Sequence, residues 1–198
     1  ILSTVFLAIL TSTGTTFADE AFLSASYGGT ISESTSRLEI RERWTNFGGY
    51  SLVGLQFWAP EFVFGLNPFA SFDYLWIKGT DSAEPKAGIF ALGLGKTIPL
   101  GHASLSILAG VSQFRRSLKV WPGSDNSFEI ESEEIGGVFG GFLRFDFFNK
   151  VDALMGYKLN ICSDLNYSGT TPFDYEVTLT SSGIQHLLYV GIGVGIGM

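Results

Sequence analysis

The sequence predicts an all-β protein, an eight-stranded antiparallel up-and-down transmembrane β-barrel. Three observations predict it. The 198 residues include 25 Gly and 18 Phe, with 45% hydrophobic and only 16% charged residues, and the mean hydropathy is +0.27. Past residue 20, no apolar run approaches the ~20 residues of a membrane-spanning helix. Segments of roughly ten residues instead alternate between apolar and small or polar side chains, which is typical of strands with two different faces.

The amino terminus has the features of a secretory signal peptide, which we assign to residues 1–18 with a truncated start. Ile1 to Leu10 is an uncharged apolar stretch, a small and polar segment follows, and cleavage is expected after Ala18. The alternative is a short buried strand or helix. Export agrees with Cys162, the one cysteine of the sequence, which has no partner for an internal disulfide. Residues 19–198 are assigned to a single barrel domain.

The alternation defines the strands one by one. In the first, near 20–29, Leu23 and Tyr27 share the apolar parity, and Ser24 and Ser26 share the other. The second, near 50–58, is ambiguous because both parities carry apolar residues. The apolar parities of the other six strands are, in order, Phe72, Tyr74 and Trp76; Phe90, Leu92 and Leu94; Ala103, Leu105, Ile107, Ala109 and Val111; Ile135, Phe139, Leu143, Phe145 and Phe147; Val151, Ala153, Met155, Tyr157, Leu159 and Ile161; and Leu188, Val190, Ile192, Val194, Ile196 and Met198.

The connections alternate in length. Three are tight turns, at 65–68, 98–101 and 148–150, and four are longer polar loops, near 30–48, 79–86, 119–132 and 165–183. This order predicts eight strands, with the tight turns and both termini at one end and the long loops at the other. In the first loop Leu38, Ile40 and Trp44 keep an alternating parity, so a β-hairpin or strand extension above the membrane is expected.

The apolar parity is almost free of charge and carries the large rings, whereas the other parity is small or polar. A barrel with its apolar residues facing lipid and its small and polar residues in a narrow lumen explains both. A closed ring of strands also satisfies every backbone hydrogen bond, which the hydrocarbon core of a membrane requires. The alternative is a soluble ligand-binding barrel with the faces reversed. Trp44, Trp58, Trp76 and Trp121 are expected to anchor the barrel at the membrane interfaces.

The chain begins like a secretory signal peptide, alternates tight turns with long loops, and ends in an alternating strand, Gln185 to Met198. In these features residues 19–198 resemble the small eight-stranded outer-membrane barrels of the OmpA/OmpX and opacity-protein type. Members of that family usually end in an aromatic residue, whereas this chain ends in Met198. The resemblance implies the outer membrane of a Gram-negative bacterium and a monomer without a cofactor. The implied partners are outer-membrane lipid and lipopolysaccharide, the barrel-assembly machinery and a host or surface ligand of the loops. The implied function is non-catalytic, in adhesion, surface interaction or envelope integrity.

Charged residues on the lumen parity are expected to form a hydrogen-bonded network across the interior. Counting from the turns places Asp73 and Arg144 at similar depth, Lys158 somewhat higher, and Asp146 and Asp152 nearer the turns. Pairing is expected because an unpaired charge in a narrow interior would cost several kcal/mol. The network is predicted to be a structural plug, with a gated ion path as the alternative.

Catalytic and ligand-binding residues are scarce. His102 and His186, the two histidines, fall at opposite ends of the predicted barrel. The one possible constellation is a lipid A-modifying site at the rim, in which His186 acts with Ser181, Ser182 or Glu134, and no spacing matches such a motif. The net charge of −7 argues against nucleic acid. The acidic loops are expected to be solvated tips or, alternatively, to collect divalent cations that bridge lipopolysaccharide phosphates. We therefore predict no catalytic, cofactor or metal residues.

Overall fold

The structure is a computed structural model of the chain. It describes residues 21–30, 36–40, 43–47, 50–62, 64–76, 83–121, 127–148, 151–170 and 176–196. The expected signal peptide, residues 1–18, and the carboxy-terminal Met198 lie outside the described residues. No helix within the described ranges is long and apolar enough to cross a membrane.

The described ranges contain twelve strands, of which eight close into an antiparallel barrel in the order β1-β12-β9-β8-β7-β6-β5-β4. The other four form a separate sheet in the order β10-β11-β2-β3. The predicted all-β, eight-stranded barrel is confirmed. The strands are β1 (Ala21–Thr30), β2 (Ser36–Ile40), β3 (Arg43–Phe47), β4 (Ser51–Trp58), β5 (Asn67–Trp76), β6 (Ala83–Pro99), β7 (Ala103–Val120), β8 (Phe128–Phe148), β9 (Val151–Ile161), β10 (Leu165–Thr170), β11 (Glu176–Ser181) and β12 (Ile184–Ile196).

The strands are staggered around the barrel. A sideways path from Phe22 through directly paired residues reaches Gln185 on β12. Gln185 lies two residues beyond Leu187, the partner of Thr30 on β1. The path therefore returns to β1 about ten residues from its start, a shear that tilts the strands and leaves an interior wide enough only for side chains.

Alternate residues of each barrel strand face outward and inward, as the parities predict. The outward row of β12, from Leu188 to Ile196, is 43–64% exposed, whereas Tyr189 between its members is buried. The ambiguous second strand places Val53, Leu55 and Phe57 outward. The outward rows of the other strands continue this apolar surface into a belt around the barrel, which is the surface that a transmembrane barrel presents to lipid.

Trp58 corrects one sequence-based expectation. It lies inside the lumen and is only 3% exposed, so it is not an interface anchor. Because both parities of β4 are apolar, the sequence alone does not indicate which of its rows faces inward. Trp76, at the end of β5, faces outward and stacks on Tyr74 with 5.9 Å between ring centroids. The side chain of Trp44 lies outside the described residues.

The loop end is more ordered than the loop boundaries predicted. Strands β6, β7 and β8 run for 17, 18 and 21 residues and extend past the ends of β5 and β9 as a three-stranded wall. The long pairing of β7 with β8 carries strand structure into much of the region assigned to the third loop. The hairpin expected in the first loop is present as β2 and β3. It pairs through β2 with β11 of the β10–β11 hairpin, which forms in the fourth loop.

Candidate functional site

The lumen is filled by side chains, and its turn-end half is aromatic. Trp58 packs face to face with Phe69 at 5.6 Å and edge-on to Phe142 at 5.3 Å between ring centroids. Phe22 stacks on Phe142 at 6.3 Å. Neighbouring inward positions are small where these rings need space: a Cβ on Gly193 would collide with the ring of Phe22. Rings and glycines of the lumen row thus pack against each other and close the bore.

Asp73 and Lys158 form an ion pair inside the barrel. The Lys158 Nζ donates to both carboxylate oxygens of Asp73, at 3.0 and 2.9 Å, and each side chain is 2% exposed. The Nζ also lies 5.3 Å from the centroid of the Tyr189 ring. The pair joins β5 to β9 across the lumen, because these strands are not neighbours in the barrel.

Arg144 and Asp152 form a second buried pair. The Arg144 Nε lies 2.6 Å from Asp152 Oδ2, and the guanidinium carbon lies 4.2 Å from the centroid of the Phe22 ring. Asp146 is opposite Asp152 in the β8–β9 register, but its side chain lies outside the described residues. The planar guanidinium therefore combines a charge contact with stacking on an aromatic face.

Among the predicted network residues, the structure thus brings together two separate pairs, Asp73 with Lys158 and Arg144 with Asp152. Counting from the turns had placed Asp73 level with Arg144. The stagger of the barrel explains the different pairing, since equal counts on strands across the barrel correspond to different heights. A single network that includes Asp146 stays a prediction.

Arg116 is a functional candidate that the sequence analysis did not single out. Its Nη2 donates to Glu134 Oε2 at 3.3 Å, to Cys162 Sγ at 2.6 Å and to the Ser163 carbonyl at 3.1 Å. Its Nη1 lies 3.5 Å from the carbonyl oxygen of Ser181. One guanidinium therefore joins β7, β8, the segment after β9 and the end of β11 at the mouth of the barrel. The sequence signal was an arginine continuing the inward parity of β7, which requires partners when buried.

Cys162 follows the last residue of β9 at the loop end and is part of this cluster. Burial raises the pKa of its thiol to about 11, although the nearby Arg116 guanidinium acts in the opposite direction. At neutral pH the side chain is therefore a protonated thiol, and its Sγ also lies 3.4 Å from the Gly183 carbonyl as a donor. An inert, structural cysteine agrees with this environment.

The four-stranded sheet covers the barrel mouth through a second apolar core. Val177 and Leu179 of β11 are buried against Leu118 and Val120 of β7 and Ile130 of β8. We call the sheet β10-β11-β2-β3 the cap. Between the cap and the lumen lies a cavity of about 30 Å³, lined in part by Arg116, Gln185 and Leu179. Its volume is that of about one or two water molecules.

Four glutamates in and beside the acidic third loop, Glu129, Glu131, Glu133 and Glu134, lie on β8, which pairs with β7. Glu133 accepts a hydrogen bond from Gln113 and Glu129 accepts one from Ser117, while Glu131 lies 3.4 Å from Arg115. These carboxylates are therefore cross-strand partners on the wall and not a tip cluster. Among the described residues, no group of three or more His, Cys, Asp or Glu is placed to hold a metal ion.

His186 lies on the outward row of β12 and is partly exposed. Its Nδ1 is 2.6 Å from the Tyr157 hydroxyl, across the β9–β12 pairing. Glu134, one proposed partner, bonds Arg116 on the inner side of the wall, and Ser181 is buried. His186 thus contacts a tyrosine on the outer surface of the barrel, whereas Glu134 faces inward on β8 and pairs with Arg116.

The fold and the filled lumen define a class: the chain has the fold of the small eight-stranded outer-membrane β-barrels. Among solved structures, it is similar to outer membrane protein OprG from Pseudomonas aeruginosa, with 12% identity and a TM-score of 0.64 over 91% of this chain and 97% of that one. A major outer membrane protein from Thermus thermophilus is similar with 10% identity and a TM-score of 0.62, over 89% and 99% of the two chains. Neisserial surface protein A has 13% identity and a TM-score of 0.52, over 89% and 97%. No protein-family model and no curated protein matches the sequence.

Proposed function

We propose that the chain is an integral outer-membrane protein of a Gram-negative bacterium that acts through its loop-end surface, without catalysis and without an open pore. The observation that carries the proposal is the contrast between the closed lumen of the barrel and the folded sheet at its loop end. The bore is closed by rings and by buried ion pairs, and the apolar belt faces outward. Beyond the belt, the four-stranded cap packs on β6, β7 and β8 through a second apolar core. An ordered sheet is better suited than flexible loops to present a fixed surface to a ligand.

The closed lumen supports the non-conducting part of the proposal. An ion path would have to pass both the Asp73–Lys158 pair and the aromatic layer at Trp58. The test is conductance of the refolded protein in planar bilayers. We expect no sustained steps for the wild type, and steady ohmic steps at neutral pH would overturn this part of the proposal.

The apolar belt supports membrane integration over a soluble, ligand-carrying barrel. Detergent extraction followed by gel electrophoresis with and without boiling tests this directly. We expect a folded form that migrates differently from the boiled one and that requires detergent. A protein that stays monodisperse in aqueous buffer without detergent would overturn membrane integration.

The cap supports surface interaction, and its role is separable from that of the barrel. A variant in which residues 36–47 and 165–181 are each replaced by a short Gly-Ser turn should keep the heat-modifiable barrel. Cells that display this variant should lose attachment to host-cell or matrix-coated surfaces relative to cells that display the wild type. Increased detergent sensitivity of the cells with unchanged attachment would instead support a role in envelope integrity. No change in either would overturn the proposal that the loop end is the functional surface.

A further inference from the structure

The β10 strand of the cap contains an acceptor pattern for asparagine-linked glycosylation. Asn166 is followed by Tyr167 and Ser168, which is the pattern Asn-x-Ser/Thr with a residue other than Pro in the middle. Among the six asparagines of the sequence, Asn166 alone has Ser or Thr two positions later. Asp164 stands two positions before it, which completes the longer pattern Asp/Glu-x-Asn-x-Ser/Thr that bacterial oligosaccharyltransferases recognise.

The residues of this pattern are accessible from one side. Successive side chains of a strand point to opposite faces, so Asn166 and Ser168 share a face, and Asp164, just before the strand, continues their parity. All three residues are exposed. Leu165, on the other parity, packs against the apolar core beneath the cap. A group attached to Asn166 therefore projects away from that core, and the cap can fold with the group in place.

The face around Asn166 suits a sugar. Thr180 and Thr178 of β11 are the direct partners of Asn166 and Ser168, and neither threonine is buried. Each hydroxyl can both donate and accept a hydrogen bond, as the hydroxyls of a sugar also do. The side chains opposite the acceptor are thus small and polar, and they leave room for the first sugar of an oligosaccharide.

β10 is also an edge strand without the usual protection. It is the first strand of the cap sheet and pairs with β11 alone among the described strands. Edge strands of natural proteins commonly contain a charged residue or Pro, which prevents pairing with another chain. The β10 strand, Leu165–Thr170, contains neither, whereas β6 has Pro85 where it runs past β5. A hydrophilic oligosaccharide on Asn166 would supply the missing protection.

We propose that Asn166 is glycosylated by an oligosaccharyltransferase, with a polyprenyl diphosphate-linked oligosaccharide as the donor. The Asn166 Nδ2 forms a bond to C1 of the first sugar, and the bond between C1 and the diphosphate oxygen breaks. Polyprenyl diphosphate leaves with the electron pair, and the proton lost from Nδ2 passes to a base of the transferase.

The transfer is expected before the barrel folds. Six residue pairs hold β10 against β11, and an enzyme that binds the segment around Asn166 would have to open them in the folded cap. The unfolded chain offers the same segment freely during its passage through the periplasm. The proposal therefore rests on the outer-membrane location proposed above, because only an exported chain meets the transferase.

The test produces the full chain, behind a secretory signal peptide, in Gram-negative cells that contain a bacterial oligosaccharyltransferase and its lipid-linked oligosaccharide. Intact-mass and peptide mass spectrometry of the purified protein measure the glycosylated fraction and its position. The disrupting variants are Asn166→Gln, Ser168→Ala and Asp164→Asn, the last of which keeps the oxygen that accepts the Gly183 N–H at 2.7 Å. The matched controls are Ser168→Thr and Tyr167→Phe. Every variant is first checked for the heat-modifiable folded form.

We expect the wild type to gain the mass of one oligosaccharide on the peptide that contains Asn166. The three disrupting variants should lose this mass, and both controls should keep it. An unmodified wild type beside a modified reference acceptor in the same cells would overturn the proposal, as would a mass gain that persists in Asn166→Gln. A heat-modifiable barrel without the oligosaccharide would refute this site alone, whereas failure to form that barrel would refute the membrane assignment instead.

Discussion

Replacing Lys158 by Met removes one charge of the most buried ion pair in the described lumen. The Lys158 Nζ contacts both oxygens of Asp73, and the two side chains are each 2% exposed. The Met side chain fills most of the volume of the lysine stem, so the main effect is a carboxylate left in the interior without its charge partner. Breaking a buried pair in this way costs about 3–5 kcal/mol, and we expect the free energy of unfolding to fall by that amount.

The assay is urea unfolding of the refolded barrel in lipid vesicles, followed by tryptophan fluorescence and by the heat-modifiable band. The matched control is Lys96→Met, because the Lys96–Glu61 pair, at 3.5 Å, is 24% and 36% exposed and should contribute less than about 1 kcal/mol. Adding Asp73→Asn to Lys158→Met removes the unpaired carboxylate charge and should restore at least about 2 kcal/mol of the free energy of unfolding. A loss below about 1 kcal/mol for Lys158→Met, or a double variant less stable than the single, would refute the reasoning.

Three further predictions concern the other inward clusters. Arg144→Met should lower the free energy of unfolding by about 3 kcal/mol, because it leaves Asp152 buried without its guanidinium; a loss under about 1 kcal/mol in the same assay would contradict this. Cys162, whose pKa is raised from 9.0 to about 11 by burial, should react with iodoacetamide at pH 8 about tenfold more slowly than a peptide cysteine. Its thiolate fraction is about 100-fold lower, the greater nucleophilicity of a more basic thiolate restores about tenfold, and the rate should rise with pH up to about 11; a rate equal to the peptide's would count against the buried thiol. Leu179→Asp places a charge in the core of the cap, so limited proteolysis should cut residues 165–181 while the heat-modifiable band persists, and simultaneous loss of that band would show that cap and barrel are not separable.

The faces of most strands could be predicted because a strand has only two. One polar residue at an apolar-flanked position, such as Asp73 between Phe72 and Tyr74, is enough to assign both rows. The same logic fails for β4, where Trp58 and Leu52 on one row are as apolar as Phe57 on the other. There the inward row is selected by pairing with β1 and β5, whose registers place Trp58 beside Phe22 and Phe69.

The loop end was predicted less well than the membrane segments. Turn residues mark where a chain can reverse, but the length of an antiparallel ladder depends on its neighbour. Glu129 to Glu134 have the charge of a solvated loop, and they are nevertheless strand residues, because β7 supplies Arg115, Arg116 and Ser117 opposite them. The β10–β11 hairpin in the fourth loop likewise depends on a partner from the first loop, far away in sequence.

The sequence by itself determined the number of barrel strands, the two faces of nearly every one of them and the set of charged residues available to the lumen. Those properties follow from local alternation and from turn chemistry, which a single strand carries alone. The tertiary structure decided which charges meet, which row of β4 faces inward, and that Arg116 ties four segments together beneath a cap. These depend on the stagger of eight closed strands and on pairing between distant loops. The relative heights of residues on opposite strands are set only when the ring of strands closes, so no local pattern in the chain encodes them.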